Sequence, residues 1–357
     1  MSKIPVTVCI IAKNEEKHIE NCLKHLKKYD LEVIVTDTGS TDRTREIAEK
    51  YADKVVDFEW VNDFAAARNY CTSFAKNNWI LAIDCDEYVT NIDVRILRIL
   101  MQKYPRYTGV LRLKNLIPEG NNGAKGYVSD DVPRMYNKNY FEFDFPIHEQ
   151  LRFKDRTKSD DVMEAFLLPI EVIHHGYALT GDDMRKKQER NIKLLEGSIE
   201  ENPTNGYYYF QMGQSNFVLG DVDKAIEAYE KGMELVDNLD NVYVPEMIMS
   251  LAKAYTAKRR VDDALNFLEK YVKYYNTAKF QFEYAELLRK NNQVLKALAM
   301  YIKVTTMQDV ETIGENLITC YGCIISIYES MGNKEMAELF HNQFLQCVAE
   351  KERIVNS

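Results

Sequence analysis

Two carboxylates separated by a single residue, Asp84 and Asp86, follow directly on the apolar run Trp79–Ile83. The two-residue period of a strand sends both side chains to one side of its C-terminal edge, where open α/β sheets bind ligands. Such a pair can hold a hard divalent cation that bridges a diphosphate and offsets the charge growing there as a bond to it breaks. A surface turn or a helix cap uses the same letters. Cys85, between them, points the other way, into the core. A second acidic turn, Thr36-Asp37-Thr38-Gly39-Ser40-Thr41-Asp42, ends another apolar run. Asp37 can accept from a nucleobase N–H or a ribose hydroxyl, and Gly39 permits tight reversal and close approach of a ligand. An ordinary capped helix start, served by Ser40 and Asp42, explains this turn equally well.

Three of the six histidines fall in two short stretches, His148-Glu149 and His174-His175-Gly176-Tyr177. Isolated histidines are commonly structural, but here a neutral imidazole from His174 can complete a metal shell begun by Asp86, and Glu149 suits a general base. Arg68 and Arg134 are the arginines able to face a diphosphate in bidentate fashion. Lys186, Lys187 and Arg190 read as a solvated helix face. Cys320-x-x-Cys323 sits in a helical pattern without a second pair, which argues against zinc or redox chemistry.

These groups need a scaffold, and its periodicity is written in the first half of the chain. Apolar strand-like runs at Val6–Ala12, Glu32–Thr36 and Trp79–Ile83 alternate with helical patterns at Glu15–Lys28, Asp42–Tyr51 and Asp63–Lys76. That alternation predicts a mainly parallel sheet with helices on both faces, capped by Asn14, by Ser40 or Thr41, and by Asn62. Shorter β-rich pieces follow at Gly109–Leu116, Val132–Tyr136 and Ala165–Ile173, interrupted by a Gly120–Gly126 loop over the site. From Asp182 the pattern is helical, with a hinge near Leu179–Asp183. Four helix-turn-helix units, Tyr208–Leu235, Met249–Val272, Glu283–Val304 and Gly322–Leu345, are anchored by Ala225, Ala264, Ala297 and Ala337. Their spacing brackets the 34-residue tetratricopeptide period. Such an array binds a polypeptide, mediates self-association or buttresses the first domain.

The chain of 357 residues carries 46 Lys and Arg against 55 Asp and Glu. An acidic chain without basic blocks excludes DNA binding as the main role. Its apolar runs are strand-sized, far short of the roughly 20 residues of a membrane span. Met-Ser-Lys-Ile-Pro does not open a secretory signal, and seven scattered cysteines suit reduced thiols, so the expected compartment is the cytoplasm.

Taken in order and spacing, Cys9-Ile-Ile-Ala-Lys-Asn-Glu15, Val35–Asp42, Asn62-Asp-Phe-Ala-Ala-Ala-Arg-Asn69 and Ile83-Asp-Cys-Asp-Glu87 resemble the family 2 glycosyltransferases of GT-A fold. The likeness continues through Arg134-Met-Tyr136, Ile147-His-Glu149, Ile173–Tyr177 and Arg190-Asn191 into the repeats. There it resembles a bacterial branch in which tetratricopeptide-like helices follow the catalytic domain, a branch that includes peptide S-glycosyltransferases of the sublancin type. The resemblance implies a GT-A domain over 1–180 and an all-α repeat domain over 181–357. It implies a UDP-sugar site built from Ala12, Asn14, Glu15, Asp37, Arg68, Asp84, Cys85 and Arg134, with Mn²⁺ or Mg²⁺ held by Asp86 and His174. On this resemblance Glu149 and Asp86 are expected to carry the chemistry, with a peptide or protein Ser, Thr or Cys as the expected acceptor. Thr38 and His175 depart from the family's pattern. A lipid-linked or polysaccharide acceptor is the rival within enzymes; a non-catalytic repeat scaffold is the rival outside them. A homodimer through the repeats is a further expectation.

Overall fold

The computed structural model describes residues 3–117, 126–155, 157, 163–175, 181–314 and 316–355. The chain divides into two compact units, Met1–Lys187 and Gln188–Ser357. The expected loop at Gly120–Gly126 falls outside the described residues except for Gly126, and of the hinge expected at Leu179–Asp183 the described residues, 181–183, open a helix.

The first unit contains strands β1 (Val6–Ala12), β2 (Glu32–Asp37), β3 (Lys54–Asp57), β4 (Trp79–Ala82), β5 (Glu87–Ile92), β6 (Thr108–Ile117), β7 (Gly126–Asn137), β8 (Phe141–Asp144), β9 (Gln150–Phe153), β10 (Ala165–Leu167) and β11 (Ile170–His174). Helices α1 (Ile19–Leu26), α2 (Thr44–Tyr51), α3 (Phe64–Ser73) and α4 (Val94–Lys103) connect them. The main sheet has the order β3-β2-β1-β4-β7-β6-β11-β5, with β10 beside β6, and β8 and β9 form a separate hairpin. The β3-β2-β1-β4 half is parallel; β7 then joins β4 antiparallel.

Parallel strands covered on both faces read as continuous apolar runs, and every residue of β2 is buried. Within β1, alternate residues feed different cores. Val8 and Ile10 join Ile19 and Leu23 of α1, while Cys9 joins Ala65 and Cys71 of α3 and Phe141 of the hairpin. The sheet's C-terminal edge is thereby pinned from both sides.

The helix starts differ from the sequence expectation. Of the three starts named from the sequence, that of α3 has a side-chain cap, Asp63, one residue beyond Asn62, accepting from Ala66 N at 2.8 Å; α1 and α2 begin at His18 and Arg43 without a side-chain cap. Asn14 and Ser40 are spent on each other's loops instead.

A long helix, α5 (Gly181–Glu201), crosses the division between the units. The second unit continues with α6 (Gly206–Val218), α7 (Val222–Glu234), α8 (Val244–Ala257), α9 (Val261–Glu269), α10 (Ala278–Lys290), α11 (Val294–Thr305), α12 (Asn316–Ser330) and α13 (Lys334–Val355). These are the four expected helix pairs, and Ala225, Ala264, Ala297 and Ala337 are all buried. In the first pair a Cβ at Gly213 would meet the Tyr229 ring at 2.4 Å, so only glycine lets those two helices close. The degenerate later pairs keep a polar device. Tyr229 donates to Gln214 at 2.7 Å and Tyr284 to Glu269 at 2.9 Å, while Tyr301 donates to Glu286, in each case to the preceding helix at the same offset.

Candidate active site

The loops after β1 and β2 are latched together by reciprocal hydrogen bonds. Asn14 N donates to Ser40 Oγ at 3.0 Å, Thr41 N donates to Asn14 Oδ1 at 2.8 Å, and Glu16 N donates to Asp42 Oδ2 at 3.2 Å. Asn14 holds a φ of 58°, in the left-handed region that Asn tolerates better than most residues. Thr38, a departure from the family pattern, donates through both N and Oγ1 to the Ala12 carbonyl. The latch leaves Asp37 buried between the loops. Its Oδ2 accepts from Gly39 N and Ser40 N at 3.3 and 3.1 Å, while its Oδ1 is a buried acceptor with no donor among the described residues. Buried oxygens of this kind are rare.

Beyond β4 the acidic turn enters a cage. Arg68 Nη2 donates to Asp84 Oδ1 at 2.8 Å and Arg68 Nε to Glu149 Oε1 at 2.6 Å. Arg134 Nη2 donates to Asp84 Oδ2 and to Glu87 Oε1, both at 2.6 Å. Two guanidinia thus bind three carboxylates. Burial alone pushes the Asp84 carboxyl up, but Arg134 and Arg68 outweigh it and hold Asp84 ionised well below the usual carboxylate range. The arginines do not stand open as phosphate clamps. What they leave over is Arg68 Nη1 and Arg134 Nε, buried N–H groups without an acceptor among the described residues.

Asp86 has a different neighbour. The antiparallel pairing of β11 with β5 sets His174 opposite Glu87, and His174 Nε2 lies 3.3 Å from Asp86 Oδ2. The imidazole's other nitrogen, Nδ1, is 2.7 Å from Asn115 Oδ1, and Asn115 Nδ2 donates to Asp130 Oδ2 at 2.7 Å. An amide oxygen only accepts, so Nδ1 carries the hydrogen and the neutral ring turns the Nε2 lone pair toward Asp86. Two lone pairs facing at that distance call for a proton or a cation between them. Burial pulls the His174 imidazole down, yet Asp86, Glu87 and Asp84 together raise it above its ordinary value. The donor set, one carboxylate and one oriented imidazole with a hydrogen-bonded second shell, fits a divalent cation. Among the described residues no group of three or more ligating side chains converges, so the rest of such an ion's shell would come from elsewhere.

Glu15, in the loop between β1 and α1, feels the same excess of negative charge. Burial first, then Asp86, Asp84 and Asp42, push its carboxyl up to about 7. Cys85 is buried, with its Sγ 3.8 Å from the Ile11 carbonyl, so its side chain faces the core and only its backbone lies in the turn. The Tyr88 ring lies between His25, at 5.4 Å, and His175, at 4.2 Å, and its hydroxyl is 3.2 Å from His18 Nδ1. His175 N in turn donates to the Asp86 carbonyl at 2.9 Å.

With this geometry in view, residues 7–159 match the family model described as Glycosyl transferase family 2, and residues 206–235 match a Tetratricopeptide repeat. The first unit holds a family 2 glycosyltransferase domain. SPbeta prophage-derived glycosyltransferase SunS of Bacillus subtilis is 28% identical over 236 residues, 65% of this chain and 54% of SunS. A TPR repeat-containing protein of Synechococcus elongatus is 28% identical over 64% of this chain and 56% of its own. An uncharacterized glycosyltransferase of Rickettsia bellii is 33% identical over 39% and 48%. The chain spans little more than half the length of the first two relatives. Among solved structures, S. aureus TarS shares 15% identity over 72% of this chain and 53% of that one, with a TM-score of 0.41. The fold rests on the sheet order and the family model.

The glycosyltransferase domain uses residues that sequence reasoning passed over. Glu87 was visible only as the last letter of the acidic turn, yet it is 1% exposed, binds Arg134 and accepts from Asp84 N at 3.0 Å. A charged residue heading a strand in which Tyr88, Val89 and Ile92 are buried was the available signal. Asn115, which orients His174, carried none, because its importance comes from the β6–β11 register that sets the two opposite each other.

Proposed function

We propose that the chain is an inverting, metal-dependent glycosyltransferase that moves a sugar from a nucleotide donor, UDP in the first instance, to a peptide or protein Ser, Thr or Cys side chain. The observation that carries this reading is the facing of Asp86 Oδ2 and His174 Nε2 at 3.3 Å beside the acidic turn of a family 2 domain. Asp86 and His174 would hold Mn²⁺ or Mg²⁺, which supplies Lewis-acid stabilisation of the departing diphosphate. Asp37 Oδ1, an acceptor without a donor among the described residues, takes a hydrogen bond from the nucleoside end of the donor, between loops kept in place by Asn14 and its partners. Asp84 does not reach the ligand. It fixes the turn, through Arg68 and Arg134, so that Asp86 projects from the sheet edge.

Glu149 is the base that accepts the proton of the acceptor side chain. Its Oε1 is held by Arg68, which orients the carboxylate and ties the base to the Asp84 cage; Oε2 is the oxygen for the proton. A single displacement at the anomeric carbon then inverts its configuration. The acceptor assignment draws on the helical repeats, whose type commonly docks polypeptides. SunS, the relative named above, is called a glycosyltransferase, and no helix among the described residues is long and apolar enough to cross a membrane. In this reading the catalytic unit is residues 1–180 and the repeat unit 181–357, close to the division between the two compact units, and the chain works in the cytoplasm.

The test is slow donor hydrolysis by the purified chain over a panel of UDP- and GDP-sugars, with Mn²⁺, Mg²⁺ or EDTA, alongside Asp86→Ala. Metal-dependent turnover of one donor, lost in the variant, supports the reading. An inert protein that binds no nucleotide ends it and leaves the scaffold alternative.

A further inference from the structure

The connection between β8 and β9 carries Glu149, and its backbone is held in an uncommon shape. Phe145 has a φ of 72° and His148 a φ of 53°. Among the described residues six residues other than glycine have a positive φ, three of them asparagine, and two of the six fall in this one connection. The left-handed region is costly for a side chain as bulky as phenylalanine, and such conformations persist where the surroundings over-determine them.

The surroundings here are largely α3. Its first residue, Phe64, donates its backbone N–H to the Pro146 carbonyl at 2.8 Å, so an N–H that a helix leaves without an internal partner is spent on the connection. One turn on, Arg68 Nε donates to Glu149 Oε1 at 2.6 Å, and its guanidinium lies 5.4 Å from the centre of the Phe143 ring. Asn69 adds two bonds through a single amide: Nδ2 donates to the Phe143 carbonyl at 2.8 Å, and Oδ1 accepts from Phe143 N at 3.0 Å. It behaves as a short third strand beside β8, whose partner in the hairpin is β9. From the hairpin itself, the Arg152 guanidinium lies 4.6 Å from the centre of the Phe145 ring, and Ile147 is buried. The helix thus grips the chain just ahead of the connection, at Phe143, and within it, at Pro146 and Glu149. Arg68 alone does not achieve this, because it fixes one oxygen of a flexible side chain and leaves the backbone behind it unset. Asn69 sets that backbone, and it needs both halves of its amide to do so, since Phe143 offers it one carbonyl and one N–H.

We propose that Asn69 is a positioning residue for the base: by docking β8 on α3 it sets the left-handed connection so that Glu149 Oε2 faces the acceptor. The inference rests on the reading of Glu149 as the base and deepens it by naming what aims it. Asn69 acts through the hairpin, while donor and metal are held by other residues, so its loss falls on proton removal and spares the binding of the donor.

The experiment compares two nucleophiles, water and azide, on the donor that the hydrolysis panel identifies, using the full chain. Water forms a C–O bond at the anomeric carbon as the bond to the diphosphate breaks and takes its electron pair with it, and the water proton passes to Glu149. Azide forms a C–N bond in the same displacement and brings no proton, so it needs no base. Expected for Asn69→Ala is a fall of about ten- to a hundredfold in kcat for hydrolysis, the scale of a misplaced reacting group, with KM for the donor unchanged and azide transfer within about twofold of the parent. Asn69→Asp keeps the acceptor for Phe143 N but sets a lone pair against the Phe143 carbonyl; it shows the same pattern and serves if the alanine variant folds poorly. Glu149→Gln shows the pattern in full, with hydrolysis down about a hundredfold or more. An equal fall for water and azide in both Asn69 variants, or no fall in either, overturns the role of Asn69 while Glu149→Gln still supports the base. Hydrolysis that survives Glu149→Gln, or a parent that turns over no donor, overturns the base reading and this inference with it.

Discussion

Asp84 and Asp86 stand two residues apart and live in opposite surroundings. Asp84 is bound by two guanidinia, which also bind Glu87 and Glu149, so its charge is used up inside the protein. Asp86 has the His174 imidazole and a partial opening to solvent. A motif of two identical letters therefore conceals a division of labour. One carboxylate belongs to the frame, and the other is left for the ligand because the frame has already been balanced without it.

The largest effect expected from breaking this contrast is on stability. Arg68→Met leaves Glu149 without its partner and Asp84 with only Arg134, in a site where Arg68 is nearly fully buried. Removing one partner of a buried ion pair costs roughly 3–5 kcal/mol. The midpoint of thermal unfolding should fall by about 10 °C. A drop within 2 °C would mean that the cage is not structural. Asp86→Ala, by contrast, should leave the midpoint within about 2 °C while donor hydrolysis falls about a hundredfold or more, the scale of several kcal/mol of lost charge stabilisation. If both variants unfold alike, the two carboxylates do the same job.

Next in size is the orientation of His174. Asn115→Ala removes the acceptor that fixes the ring's tautomer and should weaken Mn²⁺ affinity ten- to a hundredfold, the range for outer-shell partners of metal-bound histidines. Counting bound Mn²⁺ by electron paramagnetic resonance checks this without any turnover. An unchanged affinity would remove Asn115 from the site.

The same contrast explains what could be read in advance. The strand–helix alternation and the four helix pairs were legible because their periodicities are local, and burial of β1, β2 and β4 imposes unbroken apolar runs. Asp84, Asp86, Arg68, Arg134, Glu149 and His174 were picked out and do converge. Which group holds which was not legible. Arg68 lies sixteen residues from Asp84 and eighty-one from Glu149, and no spacing rule says that one guanidinium serves both. β3, β5 and α4 went unread because they are short or flank stronger signals. The capping expectation failed at Asn14 and Ser40 because a cap and a loop-to-loop latch use the same side-chain oxygens.

A smaller effect tests the surplus charge near Asp86. The folded Glu15 carboxyl is raised to about 7 by burial and by Asp86, Asp84 and Asp42, so folding takes up a proton between the ordinary carboxylate range and pH 7. A raised acid is a liability once ionised: it costs nothing below about pH 4 and destabilises progressively as pH rises to 7. Glu15 is partly exposed, and after screening the cost is on the order of 1–2 kcal/mol. Glu15→Gln should then be more stable than the parent at pH 8 and equal to it at pH 4. Urea unfolding at the two values decides, and an equal difference at both would show that the carboxyl does not titrate in this window.

The smallest effect concerns the rim, where the frame is made of neutral hydrogen bonds instead of buried charge. Asn14 contributes two separable things: Oδ1, which accepts from Thr41 N, and tolerance of a φ of 58°. Asn14→Gly keeps the backbone conformation and loses the bond; Asn14→Ala loses both. An exposed neutral bond is worth about 0.5–1.5 kcal/mol, and the left-handed conformation costs Ala roughly 1 kcal/mol more than Gly. Chemical denaturation should therefore rank parent, Gly and Ala in steps of about 1 kcal/mol each. If the loops matter chiefly by shaping the Asp37 pocket, UDP affinity falls in the same order while Mn²⁺ affinity at Asp86 and His174 stays level. A parallel fall of both would mean that the rim and the metal pair are one rigid piece, and the contrast between a fixed frame and an open carboxylate would have to be redrawn to include the whole sheet edge.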